Sequence, residues 1–456
     1  MSETTISTSI FVYQNVENVD YFVGTLCVTA SLNKEEFMSF EYSDEWLNSK
    51  IAYPLSSCMP LQKGVFSSND VFKFFVSASY VRSIDFYYEY LLAYLKKQHL
   101  LHSVEDFNEE DLYEWFRTAT NCSRKFCKKN GDSKFIYHIL ASAKRIIYQN
   151  DYIRNGAFRF KMDKNADFVE NMGKQCIPTL DNLHNILEIT RKIENNQASI
   201  SEMNVFRACV SGLNGREPKT SVFDENNNLC IAKLSSVMPY AKYELAKELL
   251  ALRLASKFGI KTQEYSIRYL SDGRKYLLIK RFDRIGEKRI PFFRLSSYLR
   301  NSQFEENDTI TSSVIKLSKK NATKNLREIF KRQLFRVFIC DSDDYVLNTA
   351  FLYNIKKGWE IAPEFDVIVN YQDVKKEDLK IYLNSNFKNS VRQANLLISR
   401  AHMYRLSNKK VRKMIAQLKK SLMNWQKEAI NLGFSEEDLV KVNIYLKSFD
   451  KIKFSK

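Results

Sequence analysis

A largely apolar helical stretch, Leu326 to Ile339, has Leu326, Phe330, Leu334 and Phe338 at near-helical spacing and ends directly at Cys340-Asp341-Ser342-Asp343-Asp344-Tyr345-Val346-Leu347-Asn348. An apolar strand, Ala350-Phe351-Leu352-Tyr353, follows, and beyond a short hairpin comes Ala362-Pro363-Glu364-Phe365-Asp366. Carboxylates clustered between two apolar elements repel one another unless a cation is close. An acid and an amide five positions apart, with a second acid beyond a hairpin, is the D-x-x-x-x-N plus Asp arrangement by which kinase-like folds hold a base and Mg²⁺. In that pattern Asp343 accepts or orients a hydroxyl proton. Asn348 and Asp366 offer hard oxygen ligands to Mg²⁺ at the phosphates of ATP. A solvated Asp-rich turn capping the next element is the simpler alternative.

The 456-residue chain holds only 12 Gly and 7 Pro, so long flexible linkers and low-complexity tracts are not expected and its domains should abut. Met1 to Tyr13 lacks a basic n-region and an apolar core, and stretches such as Tyr90 to Leu95 are too short to span a bilayer. The expectation is a cytoplasmic protein with no membrane partner. Eight Cys without a C-x-x-C and five unclustered His point to free thiols rather than a disulfide framework or zinc site. The formal charge of +17 favours a nucleic-acid partner, or a partner bound to nucleic acid, although Lys-rich solvated surfaces arise without one.

Along the chain, strand-like runs (Ile10 to Tyr13, Phe22 to Val28) give way to helical spacing at Val71 to Phe75. Amphipathic helices are predicted at Asp106 to Arg124, Phe135 to Gln149 and Thr179 to Glu194, and the main boundary near residue 200. From Arg207 to Lys233 the pattern predicts strand, Gly turn, strand, polar turn, strand. A helix over Tyr243 to Phe258, stopped by Gly259, precedes strands at Tyr265 to Tyr269 and Tyr276 to Lys280. A sheet with one intercalated helix is the shape of a kinase small lobe.

Two features of that segment carry phosphate chemistry. Ser211-Gly212-Leu213-Asn214-Gly215-Arg216-Glu217-Pro218-Lys219 offers glycines for close backbone approach to phosphate and Lys219 as counter-charge, although most such turns are plain hairpins. In Cys230-Ile231-Ala232-Lys233-Leu234 the alternation points Lys233 inward, and a helix bearing Glu248 follows, the pair by which kinases hold the α- and β-phosphates. Snorkelling of Lys233 to the sheet edge, with Glu248 on a solvated face, is the alternative.

These motifs, in this order, resemble the HipA-type serine/threonine kinase toxins of bacteria along the full chain. Gly215 to Lys219 resembles the family's G-x-Q-P-K phosphate loop, and Leu278-Ile279-Lys280-Arg281-Phe282-Asp283-Arg284 its E-R-F-D-R hinge. Trp359 to Asp366 resembles its W-x-L-A-P-x-Y-D metal loop, and Asp378 to Asn384 its D-L-K-L segment. Phe40 to Leu47, Pro54 to Ser56 and Pro60 to Gln62 are similar to its N-terminal subdomain.

The resemblance implies an α+β, protein-kinase-like two-lobed fold: a β-rich N-lobe with an extra N-terminal subdomain and a largely helical C-lobe. The corresponding segments are 1–120 (N-terminal subdomain), 121–200 (helical connection), 201–284 (nucleotide-binding N-lobe) and 285–456 (helical C-lobe). It implies Asp343 as the catalytic residue, Asn348 and Asp366 as metal ligands, and Gly215, Lys219, Lys233 and Glu248 at ATP. Lys280 to Phe282 form the adenine-facing hinge, with Asp283 beside the ribose. Family members use ATP and Mg²⁺ to phosphorylate Ser or Thr of proteins such as aminoacyl-tRNA synthetases, arresting growth. A helix-turn-helix antitoxin that binds DNA neutralises them.

The chain departs from the family's G-x-T-D-x-H-x-K-N loop, with Cys340, Tyr345 and Leu347 at the Gly, His and Lys positions. Losing a His and a Lys removes donors that stabilise a phosphoryl-transfer transition state. Ser211 is the one hydroxyl next to the position of the family's inhibitory autophosphorylation serine. A weakened kinase or a pseudokinase that binds through its basic surface is therefore the second reading. The tail supports it, since residues 408–456 carry twelve Lys/Arg against five Asp/Glu, with Met414, Leu418, Leu422 and Trp425 as the expected inner stripe.

Overall fold

The computed structural model describes residues 5–31, 36–67, 71, 74–75, 150–169, 173–195, 197–199, 201–202, 205–206, 209, 219–234, 243–270, 273–299, 307–341, 346–371, 390–443 and 452–453. Ser211, Gly215, Asp343, Tyr345 and the helices predicted at Asp106 to Arg124 and Phe135 to Gln149 lie outside them. The chain divides into two compact units, Met1–Leu234 with Ser266–Pro291, and Ser235–Tyr265 with Phe292–Lys456. Among the described residues no helix is long and apolar enough to cross a membrane.

The first unit opens with an antiparallel sheet in the order β4-β3-β2-β1-β5, made of Thr5–Val16 (β1), Val19–Ser31 (β2), Glu36–Tyr42 (β3), Val65–Ser67 (β4) and Phe158–Lys161 (β5). Strict alternation sends Ile10 and Val12, Leu26 and Val28, and Met38 and Phe40 to one buried face. The register shifts by one residue where Val12 pairs with Gly24 and Tyr13 with Phe22. The extra residue, Val23, thereby joins the buried side, as a bulge permits. Gly24 is needed for close strand approach, since a Cβ there would lie 2.1 Å from the Glu41 carbonyl oxygen.

A second sheet of the same unit has the order β6-β7-β9-β8, with Lys219–Phe223 (β6), Leu229–Leu234 (β7), Tyr265–Tyr269 (β8) and Lys275–Lys280 (β9). Both strand predictions around Gly273 are borne out. Asp224 makes the β6–β7 turn by accepting the N–H groups of Asn226 and Asn228 at 2.9 and 2.7 Å. One face packs Val222, Cys230, Ala232, Tyr276 and Leu278 against Leu183 and Leu187 of the Leu183–Glu194 helix. Within the stretch where a strand is predicted from Arg207, the described residue Cys209 is helical. Val205, Phe206 and Cys209 have helical backbone, and Phe206 and Cys209, three apart, pack on Ile186. Two short strands, Arg284–Ile285 (β10) and Lys288–Arg289 (β11), form a hairpin after β9.

In the second unit the Glu244–Lys257 helix stops at Gly259, whose φ of +79° suits a left-handed cap. Its C-terminal part belongs here because Arg253 and Lys257 pair with Glu428, and Phe258 stacks on Phe335. A three-stranded sheet, Phe292–Arg294 (β12), Ala350–Asn354 (β13) and Gly358–Ile361 (β14), lies beside the Ala322–Ile339 helix. Asn325 of that helix donates to the Trp359 carbonyl at 3.0 Å and accepts from the Ile361 N–H at 3.1 Å, pinning β14. The Asn408–Leu422 helix buries Val411, Ile415, Leu418 and Leu422 and exposes Lys409, Lys410, Arg412, Lys413, Lys419 and Lys420.

Gly24→Ala is expected to destabilise the N-terminal sheet by about 1–3 kcal/mol through overpacking. Urea unfolding at neutral pH measures it, and a change below a few tenths would show that β3 yields freely.

Candidate functional site

The two-residue period of paired strands decides which charged residues of the first unit share a face. Lys219 is the cross-strand partner of Lys233, which in turn pairs with Leu277. Both lysines therefore lie on the face opposite the Leu183–Glu194 helix. Lys233 is 8% exposed, which agrees with an inward lysine. Like charges directly opposite on paired strands repel unless countered. Lys280 pairs with Cys230 and is exposed on the helix side, where its charge acts on Asp224. It stands three positions beyond Leu277, an odd number, so its side chain cannot share the face of Lys219 and Lys233.

Asp283, expected beside a ribose, is instead 4% exposed and spent on internal partners. Arg281 donates to Oδ1 at 2.8 Å and to Oδ2 at 2.6 Å, Arg284 donates to Oδ2 at 3.1 Å, and the Gly156 N–H to Oδ2 at 2.7 Å. The remaining guanidinium N–H groups reach the carbonyls of Tyr152, Ile153, Arg154 and Gly156. Burial pushes the Asp283 carboxyl up, but Arg281 and Arg284 overcompensate and hold it well below the usual carboxylate range. Burial in turn lowers Arg284 to about 9, against the attraction of Asp283. The R-F-D-R segment is thus a clamp on the Asn150 to Gly156 elbow. Phe282 lies half-buried between its two charged neighbours.

The second unit assembles the acidic side. Asn348 Nδ2 donates to the Asp366 carbonyl at 3.1 Å, which leaves the amide oxygen as the acceptor end. Asp366 adopts φ +49°, a left-handed conformation that Asp tolerates better than most residues. Burial lowers the Arg294 guanidinium, and Asp366 is the charge that counters it. Among the described residues no group of three or more His, Cys, Asp or Glu gathers as a metal cluster. One amide and one carboxylate still fit Mg²⁺, which takes few protein ligands and fills its octahedron with water and phosphate oxygens.

Behind this pair lies a buried ion network absent from the sequence reading. Arg336 donates to Asp341 at 2.5 Å and, through Nε and Nη2, to Glu364 at 3.0 and 2.6 Å. Arg332 pairs with the other Glu364 oxygen at 2.9 Å and donates to the Ala362 carbonyl at 2.8 Å. Asp341, Glu364, Arg332 and Arg336 are each no more than 1% exposed. The backbone of Glu364 is laced to the segment after Gly259, its N–H to the Lys261 carbonyl at 2.7 Å and its carbonyl from the Gln263 N–H at 3.1 Å. The signal was present as two arginines four apart on an apolar helix. Glu248, on the Glu244–Lys257 helix, is also buried, at 6% exposure.

The family model for the HipA-like C-terminal domain matches residues 211–425, and that for the HipA N-terminal domain matches residues 19–78. The chain belongs to the HipA family. A solved structure of HipA from Shewanella oneidensis MR-1, in complex with HipB and its operator DNA, aligns over 96% of this chain and 95% of that one. Its TM-score is 0.56 at 14% identity, a likeness of fold. A Helicobacter pylori proinflammatory kinase, CtkA, aligns over 48% of this chain and 97% of that one, at 13% identity and a TM-score of 0.28 too low to carry an argument. No curated protein sequence matches. The fold is HipA-like, with a sheet-rich N-terminal region and a helical C-terminal part.

The HipA loop pattern explains one strained residue. Cys340 caps the Ala322–Ile339 helix at φ +56° where the family carries Gly. A left-handed Cβ costs about 1–2 kcal/mol relative to glycine. Burial of the side chain, 2% exposed, offsets much of that cost.

Two substitutions test the networks. Asp283→Asn leaves buried cations uncompensated and should cost about 3–5 kcal/mol at neutral pH. The folded-state pKa is lowered, so the wild-type contribution is complete above an unfolded value near ~3.9 and disappears as pH falls below it. The gap between wild type and variant in urea melts should therefore close under acid. Arg336→Met strands Asp341 and Glu364 and should cost about 3–5 kcal/mol; a loss under 1 kcal/mol by the same measurement would remove the network from the account of the site.

Proposed function

We propose that this HipA-family protein is a cytoplasmic, ATP- and Mg²⁺-dependent serine/threonine protein kinase of a toxin-antitoxin module. The observation that carries the reading is the match to the HipA C-terminal domain over a segment that contains both the Lys219–Lys233 pair and the Asn348–Asp366 contact. In this reading the two lysines neutralise nucleotide phosphates, and Gly215 and Glu248 are the further residues that the HipA resemblance assigns to ATP. Asp343 orients the acceptor hydroxyl and takes its proton as the γ-phosphate transfers. Asn348 and Asp366 would hold Mg²⁺, which would supply charge neutralisation at the nucleotide phosphates. A protein hydroxyl, on a translation factor such as an aminoacyl-tRNA synthetase, is the acceptor, and growth arrest follows. A helix-turn-helix antitoxin is the expected partner, in keeping with the HipB and operator DNA present in the Shewanella complex. Autophosphorylation, if it regulates this chain, falls on Ser211.

One observation favours a weakened or pseudokinase version that works through an antitoxin–DNA complex. Leu347, at the family's Lys position, is 46% exposed and supplies no donor. The exposed lysines of the Asn408–Leu422 helix would then contribute through long-range attraction to DNA phosphates.

Incubation with γ-labelled ATP, Mg²⁺ and host lysate separates the readings. Asp343→Ala should reduce protein labelling by about 10²–10⁴-fold, and Asp366→Ala should abolish the Mg²⁺ dependence of ATP binding. Equal absence of labelling in wild type and Asp343→Ala, with growth arrest unchanged by the substitution, sinks the kinase reading. A DNA shift seen only with the antitoxin supports the binding reading.

A further inference from the structure

A cavity of about 660 Å³ opens on the first unit beside the Leu183–Glu194 helix. Ile177, Pro178, Ile186 and Phe223 make its apolar wall, and two cysteines from distant parts of the chain, Cys176 and Cys209, line it together. Their proximity is direct. The Cys209 thiol lies 3.2 Å from the carbonyl oxygen of Cys176 and 3.3 Å from that of Val205, so its single proton serves one or the other. Cys176 also packs on the cluster formed by Ile186 and Cys209.

The two sulfurs differ in access. Cys176 is half-buried in the wall of an open cavity, whereas Cys209 is fully buried. Burial pushes the Cys209 thiol up to about 12, with a hydrogen bond to Thr220 acting in the opposite direction. A small oxidant entering the cavity therefore meets Cys176 first, and Cys209 stands behind it as the second thiol. The position of Cys209 gives the pair a consequence. It stands two residues before Ser211, where the segment running to Gly215 and Lys219 begins, and it touches Thr220 at the start of β6.

We propose that Cys176 and Cys209 form a peroxide-driven, reversible disulfide that anchors the entry to the Ser211–Lys219 loop. In the first step hydrogen peroxide oxidises the Cys176 thiol to sulfenic acid and is reduced to water. In the second, the Cys209 sulfur attacks the sulfenic sulfur, the S–S bond forms, and the hydroxyl leaves with the Cys209 proton as a second water. Two thiols and one peroxide thus yield one disulfide and two waters, and a dithiol reductant reverses the change. The high thiol pKa of Cys209 makes the second step the slow one. The effect on nucleotide rests on the kinase reading above, since it requires that loop to hold phosphates; the disulfide itself does not.

The test uses the full-length protein treated with hydrogen peroxide, digested without reductant and mapped by mass spectrometry across all eight cysteines. The expected product is a Cys176–Cys209 cross-linked peptide pair, lost on dithiothreitol treatment and absent in Cys176→Ser, a substitution at a half-buried site whose folding a thermal melt verifies. Cys176 found as sulfinic acid, with Cys209 still a thiol, overturns the proposal. In a second arm, Mg²⁺-ATP affinity is measured before and after peroxide. Wild type should weaken by about tenfold on oxidation, and Cys176→Ser should not respond. A disulfide that forms without changing affinity refutes the anchoring of the loop. Failure of the reduced protein to bind ATP refutes the kinase reading and leaves the disulfide standing.

Discussion

One guanidinium holds the acidic half of the candidate site together. Arg336 bonds Asp341 at the entry to the acidic segment and Glu364 in the loop that leads to Asp366, so two stretches of chain more than twenty residues apart meet on one side chain. Both carboxylates are buried and paired with arginine, Asp341 with Arg336 and Glu364 with Arg336 and Arg332. Such a network adds little net stability over an apolar core, but it penalises every arrangement in which a partner is missing. The relative placement of the two loops is therefore enforced rather than merely favoured. Clustered acids at this point demand a cation, and for Asp341 that cation is an arginine of the preceding helix.

The first unit uses the same device at a different place. Asp283 sits between Arg281 and Arg284, and their guanidinium groups bind the carbonyls of the Asn150 to Gly156 elbow. The end of β9 is thereby joined to the segment that feeds β5 of the N-terminal sheet. Burial of so many charges is tolerable because nearly every donor finds a carbonyl or carboxylate. Lys219 and Lys233 lie on the other face of this sheet, opposite the Leu183–Glu194 helix.

Much of this was legible along the chain. Alternation located β8 and β9 and turned Lys233 inward, Gly259 marked the end of its helix, and the amphipathic stripe of the Asn408–Leu422 helix was plain. Spacing alone brought Asn348 and Asp366 under suspicion, and they are in contact through an amide–carbonyl hydrogen bond. Cys209, expected in a strand beginning at Arg207, is helical instead, because a short apolar run satisfies either period until its neighbour is known. Asp283 was misassigned for a related reason, since an acid flanked by arginines reads as a ligand-facing group when the elbow that consumes it is over a hundred residues upstream.

By itself the sequence determined most element types, the inward lysine and the acid–amide–acid order, because periodicity and local chemistry are properties of neighbouring residues. Only the tertiary structure decided which charges are free to act. It set Lys280 on the face away from Lys219 and Lys233, consumed Asp283 in a clamp, and matched Arg336 to two carboxylates that the chain order keeps apart. The physical reason is that a charge taken out of water must be paired wherever the fold brings a partner, and the fold brings partners from any distance along the chain.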